Sequence, residues 1–153
     1  MKLPHFFWHL VQIGPLIAYA VGLGPLIGRS ILLLTTQGRK SGLPRVTPLV
    51  YEELDGSLVV ASARGNSADW LRNIMVNPRV SVRAGRRHFG AVADVTRDPE
   101  RIADYLQRQL MRNPAMFGAI LRSEGLPSNP GRADLVRLTP RRPMVTIRAA
   151  TDP

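Results

Sequence analysis

The sequence predicts an α+β domain: a mainly antiparallel sheet, closed or half-closed into a barrel, with flanking helices and an apolar helical segment ahead of it. Three observations lead there. Short β-rich runs follow one another across tight Gly-, Asp- and Asn-containing turns, and hairpins give antiparallel neighbours rather than a doubly wound sheet. Helix signals appear only after the third run and again after the fifth. Residues 3–28 contain no Lys, Arg, Asp or Glu. Closure is expected because a barrel leaves no exposed sheet edge.

The elements follow in order. The head reads LPHFFWHLVQIGPLIAYAVGLGPLIG. It is long enough for a membrane span, but Gly-Pro-Leu-Ile occurs at 14–17 and again at 24–27. Proline inside a helix removes a hydrogen bond and kinks it, so two short hinged pieces are expected. Such a segment fits a membrane interface, with Phe6, Phe7, Trp8 and Tyr19 at headgroup depth, and equally fits packing on its own domain or a partner subunit. Ala18-Tyr19-Ala20 resembles a signal cleavage site, but a single preceding Lys and a continuing apolar run argue against one. The chain is therefore divided into residues 1–28, the apolar segment, and 29–150, the barrel.

Residues 31–36 form an apolar β-rich run, and Gly38-Arg39-Lys40-Ser41-Gly42 then turns the chain. Residues 45–53 read as one strand, Asp55-Gly56 as a hairpin turn and residues 57–63 as a third strand. A helix is expected over 69–76, capped by Asn66 or Ser67 and stopped at Asn77-Pro78. Residues 79–83 and 87–96 form a hairpin about Gly85. Asp98-Pro99-Glu100 starts a helix with Ile102, Tyr105, Leu106 and Leu110 on one face. Asn113-Pro114 starts another, which Gly125 caps. Residues 126–140 read as a polar loop and 143–148 as a last strand.

Composition excludes several chemistries. The 153 residues carry a net charge of +10 and no cysteine, which removes disulfides, thiolate metal sites and a cysteine nucleophile. His5 and His9 have helical metal spacing, but no third ligand accompanies them, so no metal site is expected. No Ser/His/Asp arrangement stands in a supporting context. The first acid is Glu52, so residues 1–51 hold five cations without compensation. Three of these, Arg39, Lys40 and Arg45, flank one turn. Arginine binds oxyanions with paired hydrogen bonds, and glycine lets a backbone approach an anion. The same five turn residues are also compatible with an ordinary solvated hairpin. Arg64-Gly65-Asn66 and the helix start after it add further anion-friendly groups. Trp70 and Asn73 are three apart and share a helix face, suited either to a planar ring or to core packing. The remaining arginines are scattered, unlike a nucleic-acid face.

LLLTTQGRKSGLPRVTPLVY, a strand ending in Ser-Ala-Arg-Gly, and a helix with Trp-x-x-Asn and Asn-Pro-x-Val resemble the deazaflavin-dependent nitroreductase family. That family is an actinobacterial group of split β-barrel flavin/deazaflavin oxidoreductases, and the likeness runs from about Ile31 to Thr96. The 19 Arg to two Lys agree with an actinobacterial source. The resemblance implies coenzyme F420, with its ribityl chain, phosphate and polyglutamate tail. It implies that Arg39, Lys40, Ser41 and Arg45 bind the anionic part, and that Pro48 and Leu49 lie near the ring. Ala63, Arg64 and Gly65 match the family's Ser-Lys-Gly, whose amides contact the cofactor; Trp70 and Asn73 match the helix residues beside it. Ala63 in place of serine, a shorter loop before Trp70 and Asp69 in place of a proline imply a different substrate choice.

The implied activity is hydride transfer between reduced deazaflavin and a small lipophilic electrophile: a quinone, nitroaromatic or enone. The cofactor supplies the chemistry, which fits a chain with no catalytic constellation of its own. The alternatives are a split barrel binding FMN, haem or a lipid-like ligand, or a non-catalytic F420 carrier. Residues 1–28 would hold a cytoplasmic enzyme peripherally on the inner face of the membrane, and homo-oligomers are compatible with the sequence.

Overall fold

The computed structural model describes residues 31–62, 65–112, 114–127 and 129–151. Along the chain run β1 (Ile31–Gln37), β2 (Pro44–Val50), β3 (Glu52–Leu54) and β4 (Ser57–Ala61), then α1 (Asp69–Val76). β5 (Arg79–Ala84) and β6 (Arg87–Thr96) follow, then α2 (Pro99–Arg112), α3 (Pro114–Ser123), α4 (Arg132–Leu138) and β7 (Met144–Ala149). Single 3-10 turns occupy Gly65–Ser67 and Thr139–Arg141.

The strands form one antiparallel sheet in the order β2-β1-β5-β6-β7-β4-β3. β2 and β3 stand at opposite edges of that order, yet only Tyr51 separates them in the chain. One residue spans at most about 3.6 Å. The two edges are therefore brought together, and the sheet curls into the split barrel expected from the sequence. The single strand expected over 45–53 is corrected here. It breaks at Tyr51, whose side chain is buried in the core where the chain leaves β1 and turns to pair with β4.

Turn chemistry sets the register. Leu54 pairs with Ser57, so Asp55 and Gly56 make a two-residue turn, both with positive φ (51° and 77°). Gly85 turns β5 into β6 in the same left-handed region. These two turns share one end of the barrel with Ile31. The loop between β1 and β2 lies at the other end, with α1 and the chain after β4.

Alternation along the strands defines two cores. Leu32, Leu34, Val60, Val80, Val82, Ala91, Ala93, Val145 and Ile147 point into the barrel, and Trp70, Leu71 and Ile74 of α1 complete that cluster. On the opposite face Val59 and Met144 pack beneath Ile102, Tyr105 and Leu106 of α2, Leu121 of α3 and Leu135 and Leu138 of α4. β4 is thus buried on both faces, which explains its unbroken apolar run.

Two helix starts differ from expectation. α1 begins at Ala68, with no side-chain cap, because the Gly65–Ser67 turn precedes it; Asn66 instead accepts hydrogen bonds from Arg97 and Arg72. The loop expected over 126–140 contains α4 and the second 3-10 turn. The Asp134 carboxylate accepts the Gly131 N–H (2.9 Å), which starts α4, and burial of Leu135 and Leu138 holds it. α2 starts as expected, with Asp98 accepting the Glu100 N–H at 3.1 Å. Among the described residues no helix is long and apolar enough to cross a membrane. The apolar segment 1–28 lies outside the described residues.

Candidate cofactor-binding site

The loop between β1 and β2 is tight. Gly38 N–H donates to the Leu43 carbonyl and Gly42 N–H to the Gly38 carbonyl, both at 2.8 Å. The Ser41 hydroxyl oxygen accepts the Leu43 N–H at 3.2 Å. A Cβ on Gly38 would lie 2.7 Å from the Ser41 Oγ and 3.2 Å from the Leu43 carbonyl oxygen, so a larger residue there would have to displace the Ser41 side chain. Lys40, Ser41 and Arg45 are exposed. Among the described residues neither Lys40 nor Arg45 has an ion-pair partner.

α1 is tied to this loop by a set of polar contacts. The Arg39 backbone N–H (3.2 Å) and its Nη1 (2.9 Å) both donate to Asn73 Oδ1. Arg39 Nη2 donates to Asp69 Oδ1 at 3.1 Å. Asn73 is buried and its Nδ2 donates to Thr36 Oγ1 at 3.1 Å. One turn later Asn77 Nδ2 donates to Gln37 Oε1 at 2.6 Å. Trp70 is buried in the barrel core beside these contacts.

β2 carries its candidate residues on two faces. Arg45 is opposite Thr36 and Leu49 opposite Leu32, so both share the face of the barrel interior. Pro48 is opposite Leu33 and lies on the other face. Leu49 packs against the barrel core and both residues are half-buried.

Gly65 stands at the same end of the barrel. Its φ is +60°, and a Cβ there would meet the Arg141 carbonyl oxygen at 2.7 Å, so only glycine fits. The buried Ser62 hydroxyl donates to the Gly65 carbonyl at 2.7 Å and fixes the turn. Beside it lies a cavity of about 470 Å³ bounded by Gly65, Asn66, Ser67, Glu124, Pro140, Arg141 and Arg142. Arg142 is buried and paired with Glu124, while its Nε has no partner. Burial lowers the pKa of its guanidinium below the ordinary arginine value.

The structure thus brings Arg39, Lys40, Ser41, Arg45, Asn73 and Gly65 to one end of the barrel, with Trp70 in the core beneath α1. Ala63 and Arg64 lie outside the described residues. Thr36 and Arg142 belong to this end and were not singled out in the sequence; Asp69, noted there only as standing where the family has a proline, belongs to it too. Thr36 and Asp69 are each within hydrogen-bonding reach of a residue that was singled out, but only the fold reveals that. Arg142 had no local pattern to mark it.

The model of the F420H(2)-dependent quinone reductase family matches residues 19–119, more than half of the chain. The chain belongs to this family. It is 42% identical over 65 residues to the F420H(2)-dependent quinone reductase Rv1261c of Mycobacterium tuberculosis (strain ATCC 25618 / H37Rv). An equal match is found to the putative F420H(2)-dependent quinone reductase Mb1292c of Mycobacterium bovis. These matches cover 40% of this chain and 44% of each relative, so the chain spans less than half the length of the relatives it matches. A solved F420-H2 dependent reductase (FDR-A) shares the fold at a TM-score of 0.51 and 22% identity, covering 78% of this chain and 95% of that one. The heme storage protein HutZ of Vibrio cholerae shares it equally well, at a TM-score of 0.54 and 18% identity, covering 81% and 84%. Fold alone therefore does not select a cofactor. Family membership does, and it implies coenzyme F420.

The residues fit that group. An anionic tail needs cations that are accessible and uncommitted, and Lys40 and Arg45 meet that need. Gly42 is exposed and has room around its Cα, so that part of the loop backbone can be approached. Leu49 gives the adjoining strand an apolar face.

Proposed function

We propose that this protein is an F420H2-dependent oxidoreductase that reduces a small lipophilic electrophile, with quinones favoured over nitroaromatics and enones. The family match over residues 19–119 carries this reading. Reduced F420 supplies a hydride from its deazaflavin ring when bound. The hairpin bearing Arg39, Lys40, Ser41 and Arg45 meets the anionic part of the cofactor. Leu49, Trp70 and Asn73 form the neighbourhood of the ring, with Pro48 on the opposite face of β2, and the Ala63 and Arg64 amides are offered to the cofactor, since the Gly65 N–H is held by the Ser62 carbonyl at 3.2 Å. The apolar segment 1–28 holds the enzyme at a membrane surface, where lipophilic quinones concentrate. Homo-oligomers are compatible with this arrangement.

Fluorescence titration separates this reading from its rivals. Saturable F420 binding without FMN or haem binding supports it. Binding of FMN or haem in place of F420 would sink it. F420 binding without turnover of any quinone, nitroaromatic or enone favours a carrier instead.

A further inference from the structure

Within the hairpin the cations are not equivalent. Both terminal nitrogens of Arg39 are engaged by α1, through Asn73 Oδ1 (2.9 Å) and Asp69 Oδ1 (3.1 Å). Its backbone N–H is held by the same Asn73 oxygen (3.2 Å). Asn73 is in turn buried and bonded to Thr36 at the end of β1 (3.1 Å). Lys40 and Arg45 are exposed and, among the described residues, have no such engagement. Because Arg39 is more enclosed than they are, with 21% of its side chain exposed, its charge points into the fold and not out of it.

We propose that Arg39 is a positioning residue, and that Lys40 and Arg45 are the cations that touch the cofactor's anionic tail. This division rests on the F420 reading. The strut Thr36–Asn73–Arg39 sets the angle of the hairpin against α1, and Asp69 completes it from solvent. The bonds within the loop hold its shape, while its placement against α1 rests on these contacts. Fixing that placement in advance lowers the ordering cost on binding. Asn73 serves this purpose better than a charged partner. Its carbonyl accepts two N–H groups while its amide donates to Thr36, so one neutral, buried side chain satisfies three groups at once.

The strut makes two separable predictions. Without any cofactor, Asn73→Ala speeds hydrogen exchange at the amides of residues 39 and 42 by about tenfold, because an anchoring acceptor is gone. With F420, Arg39→Ala and Asn73→Ala each weaken binding by about tenfold, and the double variant is no weaker than the worse single. Lys40→Ala weakens binding as much but leaves the ligand-free exchange unchanged. Should Asn73→Ala fail to fold, Thr36→Val replaces it; this removes the hydroxyl to which Asn73 Nδ2 donates, and exchange at residue 39 should still quicken severalfold, whereas an unchanged rate would overturn the strut. Additive losses from Arg39→Ala and Asn73→Ala, or unchanged exchange in Asn73→Ala, would overturn the proposal and make Arg39 a direct ligand. An unmodified chain that binds no F420 defeats the functional reading instead, and the exchange result then decides the strut by itself.

Discussion

The barrel interior and the helical flank solve burial in different ways. In the interior the strands contribute leucine, valine, isoleucine and alanine, and two buried polar residues, Thr36 and Asn73, bond to each other at the hairpin end. In the flank, polar groups are spread through the packing. Glu52 is buried and accepts from Arg108 Nε at 2.7 Å and Gln109 Nε2 at 2.8 Å. Tyr105 lies in the same layer, and Arg142 is buried against Glu124. The difference is instructive. A sheet interior needs only volume and alternation, and polarity there marks a place with another task. On the flank, buried ionic contacts tie Glu52 to α2 and Arg142 to Glu124 just after α3. Buried ion pairs of this kind are often no more stabilising than apolar packing of the same volume.

The largest effect should come from the apolar side of this comparison. Leu34→Ala, at a fully buried position, should destabilise the fold by about 3–4 kcal/mol in urea unfolding. A loss below about 1 kcal/mol would mean the barrel interior is loosely packed. On the flank, Glu52→Gln keeps the volume and removes the charge. It should cost about 2 kcal/mol, since Arg108 is partly solvated and loses less than a fully buried partner would. F420 affinity should change less than twofold, because Glu52 lies away from the hairpin. An equal drop in affinity would show that flank and site are coupled.

At the site the expected effect moves from stability to binding. Lys40→Ala should weaken F420 by about tenfold, about 1.4 kcal/mol, with the unfolding midpoint unchanged. Unaltered affinity would remove the hairpin from the site.

The smallest effect is confined to alkaline pH. Burial, reinforced by the charge of Glu52, raises the Tyr105 hydroxyl above its ordinary pKa of 10.0. A raised folded value leaves the stabilisation complete below pH 10. It is lost as pH climbs above that, since the unfolded chain ionises first. Tyr105→Phe should therefore flatten the decline above pH 10, and an unchanged alkaline profile would assign that decline to other groups.

Legibility followed the same division. Hairpin turns, alternation and the Pro-initiated helices are local, so β1, β4 to β7 and α1 to α3 stood out in the sequence. The break at Tyr51 did not, because it depends on where the barrel closes. Nor did α4, whose start relies on a single Asp134 carboxylate and whose apolar face is two leucines long. The hairpin motif was visible as a cluster of Gly, Arg and Lys. The commitment of Arg39 to Asn73, 34 residues away, was not. Spacing in sequence gives the types of residue at a site; only the fold shows which of them are already occupied.

The proposed reaction is hydride transfer from reduced F420 to a quinone. Anaerobic mixing of the purified protein with F420H2 and menadione, followed through the return of oxidised F420 absorbance, tests it directly. Turnover should saturate in both substrates and fail when FMNH2 replaces F420H2. Reoxidation no faster than in the absence of protein, across quinones, nitroaromatics and enones alike, would contradict it.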